Sequence, residues 1–320
     1  MDTRLLTRLG TLRQVEIFLK VAEKKSIARA ADELFLTQPS VSNQIKKLSE
    51  ALNIELYEVI GKQIYLTAAG DHVVQAGLEL FEVIRRLDED INALKGFKSG
   101  TIKIAVVTTA KYFLPHILGP YCKEYPDIDV EFKVGNRAQI IERLKKNLDD
   151  FYIFSDPPDD LDIVRYKFLP NPLAIIASKS NPLSSRKKLT WNDLSDQKFL
   201  LREDGSGTNN AVMNHLKKHN LTINKKMVIE SNEAIKHAVI ENMGVAIISA
   251  YVLSKGEADG LRQLAVKTFP IMSNWYLVHL REKKLSSVTD HFLKFVLNKH
   301  QDILPMKKIE AQINKAIKKY

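Results

Sequence analysis

Residues 26–49 read SIARAADELFLTQPSVSNQIKKLS, and two short helices joined by a tight turn are encoded there. Ser26 offers a side-chain acceptor to the N–H groups that open the first helix, and Ala30, Ala31 and Leu34 make its inward face. The paired alanines let a neighbouring helix approach closely. Thr37 caps the second helix, and Pro39 falls in its first turn, where a missing N–H costs little. Val41, Ile45 and Leu48 recur at helical spacing and point inward. Gln38, Ser40, Ser42, Asn43, Lys46 and Lys47 occupy the opposite face. Upstream, Thr11 and Gln14 fit a capping box opening a helix whose apolar face is Leu12, Val15, Phe18, Leu19 and Ala22. Downstream, Gly61-Lys62 forms the tip of a small hairpin.

A helix-turn-helix lays its second helix in the major groove and reads base edges with short polar side chains near that helix's start. Gln38 suits an adenine, and Ser40, Ser42 and Asn43 permit close approach. Lys46, Lys47 and Lys62 are placed to neutralise phosphates. With the helix starts at Ser26, Thr37 and Pro39, these residues form the candidate surface for double-stranded DNA.

Residues 68–95 carry the longest helical pattern. Val73, Gly77, Leu80, Ile84, Leu87, Ile91 and Leu94 alternate steps of four and three, a period of about 3.5 residues that marks a coiled-coil seam. The seam can join two chains or cover the chain's own small N-terminal unit; a 67-residue DNA-binding unit leaves little surface to cover it, which favours the dimer.

Lys98-Ser99-Gly100 breaks this helix. Apolar strands then alternate with helices, as in an α/β fold with largely parallel sheet. Strands are expected at 101–107, 129–134, 151–154, 163–168, 172–177, 198–201, 226–230, 245–248 and 274–280. Helices are expected at 111–125, 137–147, 207–219, 233–242, 249–255 and 286–300. Lys307, Lys308, Lys315, Lys318 and Lys319 suggest a solvated terminal helix, with extra DNA contact as the alternative. Net charge is +10, yet residues 1–96 hold 13 Lys+Arg against 14 Asp+Glu. The surplus lies beyond the DNA-facing segment, where it suits an anionic ligand or solubility. Cys122, expected as a partly buried thiol, stands alone, so no internal disulfide or cysteine-rich zinc site is expected. No apolar run is long enough to span a bilayer, and the polar start lacks a signal-peptide pattern. A cytoplasmic protein without membrane contact, metal or cofactor is expected.

Ligand chemistry is expected at the carboxyl ends of strands. Thr108, Thr109 and Lys111 follow the first strand and suit a carboxylate or phosphate, or simply cap a helix. Asn136 and Arg137 follow the second; Arg137 could clamp an anion or be a surface arginine. Arg202, Ser206, Gly207 and Thr208 could face them from the opposite wall. Asn232 joins the candidate set, although capping a helix is its simpler role. Asp149-Asp150 and Asp159-Asp160 are neighbouring acids that rarely converge on one site, and Asp150 is expected to cap or turn the chain. No reactive constellation emerges, so no enzymatic activity is expected.

The stretch from Ser26 to Gly70 resembles the winged helix-turn-helix of LysR-type transcriptional regulators. Ser26, Ala30, Ala31, Leu34, Thr37, Gln38, Pro39, Ser40, Val41, Ser42, Gln44, Ile45, Leu48, Leu66, Thr67 and Gly70 match the family pattern. Asn43 stands where many members have Arg, Ser49 where Glu is usual, Asn53 where Gly is usual and Val59 where Arg is usual. Two of these remove positive charge. Residues 104–136 (IAVVTTAKYFLPHILGPYCKEYPDIDVEFKVGN), LREDGSGT (201–208) and SNEAIKHAVIENMGVAIIS (231–249) are most similar to the branch that regulates Calvin-cycle operons, the CbbR-like branch.

The resemblance implies a mainly helical DNA-binding domain over 1–67 and a dimerising linker helix over 68–97. An α/β effector domain like the periplasmic binding proteins would fill 98–300. Its lobes would be 101–169 plus 267–300, and 170–266, with a basic tail over 301–320. The implied effector is a phosphorylated metabolite, a nicotinamide nucleotide or a small acid. The implied assembly is a homodimer through the linker helix, then a homotetramer acting as an activator with RNA polymerase as a further partner. A regulator of another pathway and a cytoplasmic solute-binding module are the alternatives. If the seam joins two chains, Leu87→Asp buries a charge in it and is expected to shift sedimentation to the monomer. An unchanged oligomer would refute the seam.

Overall fold

The computed structural model describes residues 11–61, 63–95, 99–253 and 260–303. Lys62 and the five tail lysines lie outside these residues. The chain divides into two compact units, Met1–Ile91 and Asn92–Tyr320.

In the first unit, α1 (Leu12–Lys24), α2 (Ile27–Leu34) and α3 (Gln38–Leu52) precede an antiparallel hairpin, β1 (Tyr57–Ile60) and β2 (Gln63–Leu66), and a long helix, α4 (Ala68–Leu94). Each of the first three helices starts on its own cap. The Gln14 N–H donates to Thr11 Oγ1 at 3.3 Å and the Thr11 N–H returns a bond to Gln14 Oε1 at 2.8 Å. Ser26 Oγ accepts from the Arg29 N–H, and Thr37 Oγ1 from the Ser40 N–H. Phe18, Ala30, Ala31, Val41, Ile45 and Leu48 close the core. The centre of the α1 face is Ile17, Phe18 and Val21, which corrects the expectation by one register, and Leu12 is half exposed. Val15 and Leu19 instead flank Gly77 of α4: a Cβ there would meet Val15 Cγ1 at 2.8 Å. The helix is covered on two sides, so its apolar stripe is wider than a single face.

Residues 66–70, LTAAG, set how α4 leaves the hairpin. Thr67 Oγ1 donates to the Glu55 carbonyl (2.8 Å) and accepts from the Gly70 N–H (3.0 Å). A Cβ on Gly70 would sit 2.0 Å from the Leu56 carbonyl oxygen, so only glycine fits against that backbone. The expected seam is divided by this packing. Val73 and Gly77 pack within their own unit, while Leu80, Ile84, Leu87, Ile91 and Leu94 are exposed, with Val83 beside them.

In the second unit, β3 (Gly100–Val107), a 3-10 turn (Thr108–Tyr112), α5 (Leu114–Glu124), β4 (Ile128–Gly135), α6 (Arg137–Lys145) and β5 (Phe151–Phe154) build one α/β layer. After β6 (Ile163–Ser178), a second layer contains β7 (Lys198–Leu201), α7 (Gly207–Lys218), β8 (Asn224–Val228), α8 (Asn232–Ile240) and β9 (Val245–Ser249). Then come β10 (Leu261–Gln263), β11 (Ile271–Leu280) and α9 (Ser287–Ile303). The strands order as β4-β3-β5-β11-β6-β9-β7-β8, with β10 on β6. The outer groups are parallel, whereas β6 and β11 run antiparallel from one lobe into the other. One lobe packs around Phe113, Ile117, Phe151, Trp275 and Phe292, and the other around Ile175, Phe199, Leu201, Val212 and Ile247.

The two strands expected at 163–168 and 172–177 are one. Pro170 and Pro172 lie in register opposite Asn274 and Met272 of β11, so extended backbone continues through both prolines. The register shifts between Trp275 and Tyr276, a bulge that bends the ribbon where it changes lobe. The helix expected at 249–255 is a short 3-10 turn, Ala250–Leu253. Cys122 is exposed rather than partly buried. Asp150 does more than turn the chain: it is buried, accepts the Lys103 N–H at 2.8 Å and pairs with buried Lys283 at 3.2 Å.

Gly70→Ala should lower the melting midpoint of the first unit, because the displaced Leu56 carbonyl is backbone and overpacking of this kind costs about 3 kcal/mol. A midpoint equal to wild type would contradict the close contact.

Candidate functional site

In the first unit, the exposed face of α3 is polar. The turn before α3 is made by Phe35 in the left-handed region (φ 55°) and by the Leu36 N–H donating to the Ala31 carbonyl at 2.9 Å. Gln14 Nε2 donates to Gln44 Oε1 at 3.2 Å, tying α1 to the flank of α3. With Val41, Ile45 and Leu48 buried, Gln38, Pro39, Asn43, Lys46 and Lys47 are left exposed and Ser40 and Ser42 half-buried. The Ser26 and Thr37 hydroxyls are engaged as caps, so these two orient the helices. Lys46 lies 3.8 Å from Glu50, a pair so exposed that it contributes little. The departures from the family pattern also find places. Asn53 ends α3 at φ 53°, a conformation asparagine tolerates better than most side chains, which explains how it replaces glycine. Ser49 is buried, and Val59 is exposed on β1.

The second unit has a narrow cleft lined by Val107, Thr108, Thr109, Arg137, Ser155, Arg202, Glu203, Ser206, Gly207 and Thr208. Its walls come from opposite lobes. Thr108 and Thr109 stand where β3 ends, and Arg202 where β7 ends. Arg202 is 4% exposed, so its guanidinium needs partners on every side. Nε and Nη2 donate to the two Glu203 carboxylate oxygens at 2.7 and 2.6 Å. Nη1 donates to Asn232 Oδ1 at 2.9 Å, and Nη2 reaches Thr108 Oγ1 at 3.4 Å. Asn232 Nδ2 then donates to Thr109 Oγ1 at 3.0 Å. The Tyr112 hydroxyl donates to Glu233, and Asn210 Nδ2 donates to Asp156 Oδ2 at 2.6 Å. Burial pushes the Glu233 carboxyl up, but Lys236 and the Tyr112 hydroxyl outweigh it and hold it below the usual range.

The start of α7 forms part of the wall. Ser206 Oγ accepts from the Asn209 N–H at 3.2 Å. Gly207 passes so close to the other lobe that a Cβ would meet Ser155 Oγ at 2.5 Å. Free N–H groups at a helix start and a fork of guanidinium donors suit a carboxylate or phosphate.

Thr108, Thr109, Arg137, Arg202, Ser206, Gly207 and Thr208 therefore share one cleft. Other candidates do not line it. Asn136 is engaged in a capping box with Gln139, two bonds of 2.9 Å. Lys111 is exposed and its ammonium lies 5.2 Å from the Tyr112 ring centre. The capping role expected of Asn232 belongs to Ser231, whose hydroxyl accepts from the Ala234 N–H; Asn232 is buried behind Arg202. Thr108 makes no cap either. Arg137 donates from Nε to the Asp156 carbonyl at 2.9 Å, so it is anchored rather than loose on the surface. Sequence reasoning missed Ser155 and Glu203. Ser155 follows β5 as Thr108 follows β3, and that shared position at a strand's carboxyl end was the available signal.

Residues 12–71 match the family described as "Bacterial regulatory helix-turn-helix protein, lysR family", and residues 95–301 match "LysR substrate binding domain". The chain is 43% identical over 288 residues to the HTH-type transcriptional activator CmpR of Synechocystis sp., covering 90% of this chain and 95% of that protein. It is 38% identical to the RuBisCO operon transcriptional regulator of Acidithiobacillus ferrooxidans, covering 90% and 94%. Among solved structures it is similar to the regulatory domain of Synechocystis PCC6803 CcmR in complex with 2-PG. That match has a TM-score of 0.60 and 39% identity, over 65% of this chain and 99% of the other.

Asn232→Ala removes the acceptor of a buried guanidinium and the donor to Thr109 together. It is expected to cost about 1–3 kcal/mol, read as a lower urea midpoint. A midpoint unchanged from wild type would show that the network adds nothing to stability.

Proposed function

The chain belongs to the LysR family of bacterial helix-turn-helix regulators, and on that premise we propose that it controls carbon-fixation genes in response to a small phosphorylated anion. It is a DNA-binding transcriptional regulator. The effector sits in the cleft of the second unit, between Thr108 and Thr109 on one wall and Arg202, Ser206, Gly207 and Thr208 on the other. One observation carries this reading: a guanidinium only 4% exposed lies at the meeting of both lobes, beside the start of α7. A ligand that bonds both walls favours one lobe closure over another, and that difference in affinity is what shifts the population. The relatives named for the RuBisCO operon and the complex with 2-phosphoglycolate support the class of gene and ligand.

Gln38, Ser40, Ser42 and Asn43 read base edges, while Lys46, Lys47 and Lys62 meet phosphates. The division is a reading domain over 1–67, a dimerising helix over 68–97 and an effector domain over 98–300. The exposed half of the seam, Leu80 to Leu94, joins two chains, and two dimers form the tetramer. Residues 1–96 carry almost no net charge, so one reading domain binds weakly and pairing supplies useful affinity. The protein works in the cytoplasm as an activator, without catalytic turnover and with RNA polymerase as its further partner.

In gel shifts with promoter DNA adjoining the gene, retention should be sequence-selective and weaken with salt. Lys46→Ala should reduce the salt slope by about one, and Gln38→Ala should relax base discrimination. Absence of salt-sensitive, selective retention would sink the DNA assignment. In calorimetry, 2-phosphoglycolate should bind the full-length protein, and Arg202→Lys, which keeps charge but loses the fork, should weaken it about tenfold or more. No heat with any phosphorylated acid would refute the effector.

A further inference from the structure

We propose that Glu203 determines the ligand specificity of this cleft by competing with the incoming anion for Arg202. The inference rests on the anion-binding reading above and goes beyond it to a residue that works against binding.

Arg202 and Glu203 are consecutive, yet their side chains meet. Neighbours in a strand point to opposite faces; this pair converges because β7 ends at Leu201 and the chain leaves the sheet there. The contact is side-on and bidentate, through Nε and Nη2 at 2.7 and 2.6 Å. That is the geometry with which an arginine grips any carboxylate or phosphate. The Arg202 side chain is 3% exposed and the Glu203 side chain 19%. The carboxylate therefore covers the guanidinium on its cleft side, in the position an arriving anion needs.

Of the other donors of Arg202, one at Nη1 bonds Asn232 and the second at Nη2 reaches Thr108. Among the described residues, Arg202 is the only hydrogen-bonding partner of the Glu203 carboxylate. Releasing it takes rotation of one side chain and breaks no further bond. The trade then decides which ligands enter. A monocarboxylate replaces like with like and gains nothing from the fork. A phosphate monoester carries up to two charges and three acceptor oxygens, so it bonds the fork while also reaching the N–H groups at the start of α7. Specificity of this kind comes from an element that repels the wrong ligand rather than from extra contacts to the right one.

The test uses full-length protein, with 2-phosphoglycolate, inorganic phosphate and glycolate as probes in calorimetry. Glu203→Gln keeps the side-chain shape and removes the charge. It should bind 2-phosphoglycolate about tenfold more tightly, the order of one charge-assisted pair released from competition. It should also gain measurable affinity for glycolate, so that selectivity narrows. Glu203→Asp, which withdraws the carboxylate by one methylene, should move both affinities in the same direction by less, and it serves if the glutamine variant does not fold. Equal or weaker binding of 2-phosphoglycolate by folded variants, with unchanged selectivity, would overturn the role of Glu203 and leave the anion site standing. Failure of the wild-type protein to bind either phosphate probe would instead overturn the anion site, and this inference with it.

Discussion

A guanidinium buried to 4% exposure organises the second unit. Leaving such a charge without partners costs several kcal/mol, so the surroundings of Arg202 are constrained from both lobes. Glu203 neutralises it, Asn232 takes Nη1, and Thr108 is drawn to within 3.4 Å. Asn232 in turn holds Thr109. The start of α8 is set by this demand: Ser231 caps the helix, which leaves Asn232 to face inward. Any relative motion of the lobes must exchange these bonds for others, which gives the cleft discrete arrangements rather than a continuum. A ligand acts on such a device through its differential affinity for the arrangements.

The first unit is governed by backbone packing and caps instead of by a buried charge. Thr11, Ser26 and Thr37 each satisfy an N–H at a helix start, and Lys25, Phe35 and Asn53 end α1, α2 and α3 in the left-handed region. The stop at Phe35 makes the turn between α2 and α3. Gly70 then lets α4 pass against the Leu56 carbonyl. The long helix is about 40 Å from end to end, and its lower half offers Leu80, Ile84, Leu87 and Ile91 to solvent. A face so apolar on an otherwise charged helix fits association with a second copy. The exposed face of α3 is polar more than basic.

Much of this was legible in the chain. Caps, the proline-opened helix, the wing and the change from helical to alternating strands are all local patterns, and they stand where spacing placed them. The misses have local causes too. Ile17 and Val21 were overlooked because α1 is covered on two sides and its apolar stripe is broad. Pro170 and Pro172 suggested a break, but extended backbone accommodates both. The heptad reads as one seam, yet Val73 and Gly77 are used within the unit and only the remainder is exposed. Asn136 and Asn232 each begin or adjoin a helix and look interchangeable in sequence; one is an exposed cap and the other a buried ligand of Arg202.

By itself the sequence determined the helix-turn-helix, the alternation of strands and helices in the second unit, and the family. These depend on residues three or four apart, whose hydrogen bonds and apolar spacing act within one turn or strand. The tertiary structure alone decided which polar residues meet. Thr108 and Arg202 are 94 positions apart, and Thr109 and Asn232 are 123 apart. Those pairs exist because β6 and β11 run through both lobes and bring the ends of β3 and β7 together, and Glu203 turns inward only because β7 stops one residue before Arg202. A buried charge selects its partners by proximity in space, and no spacing rule along the chain encodes that.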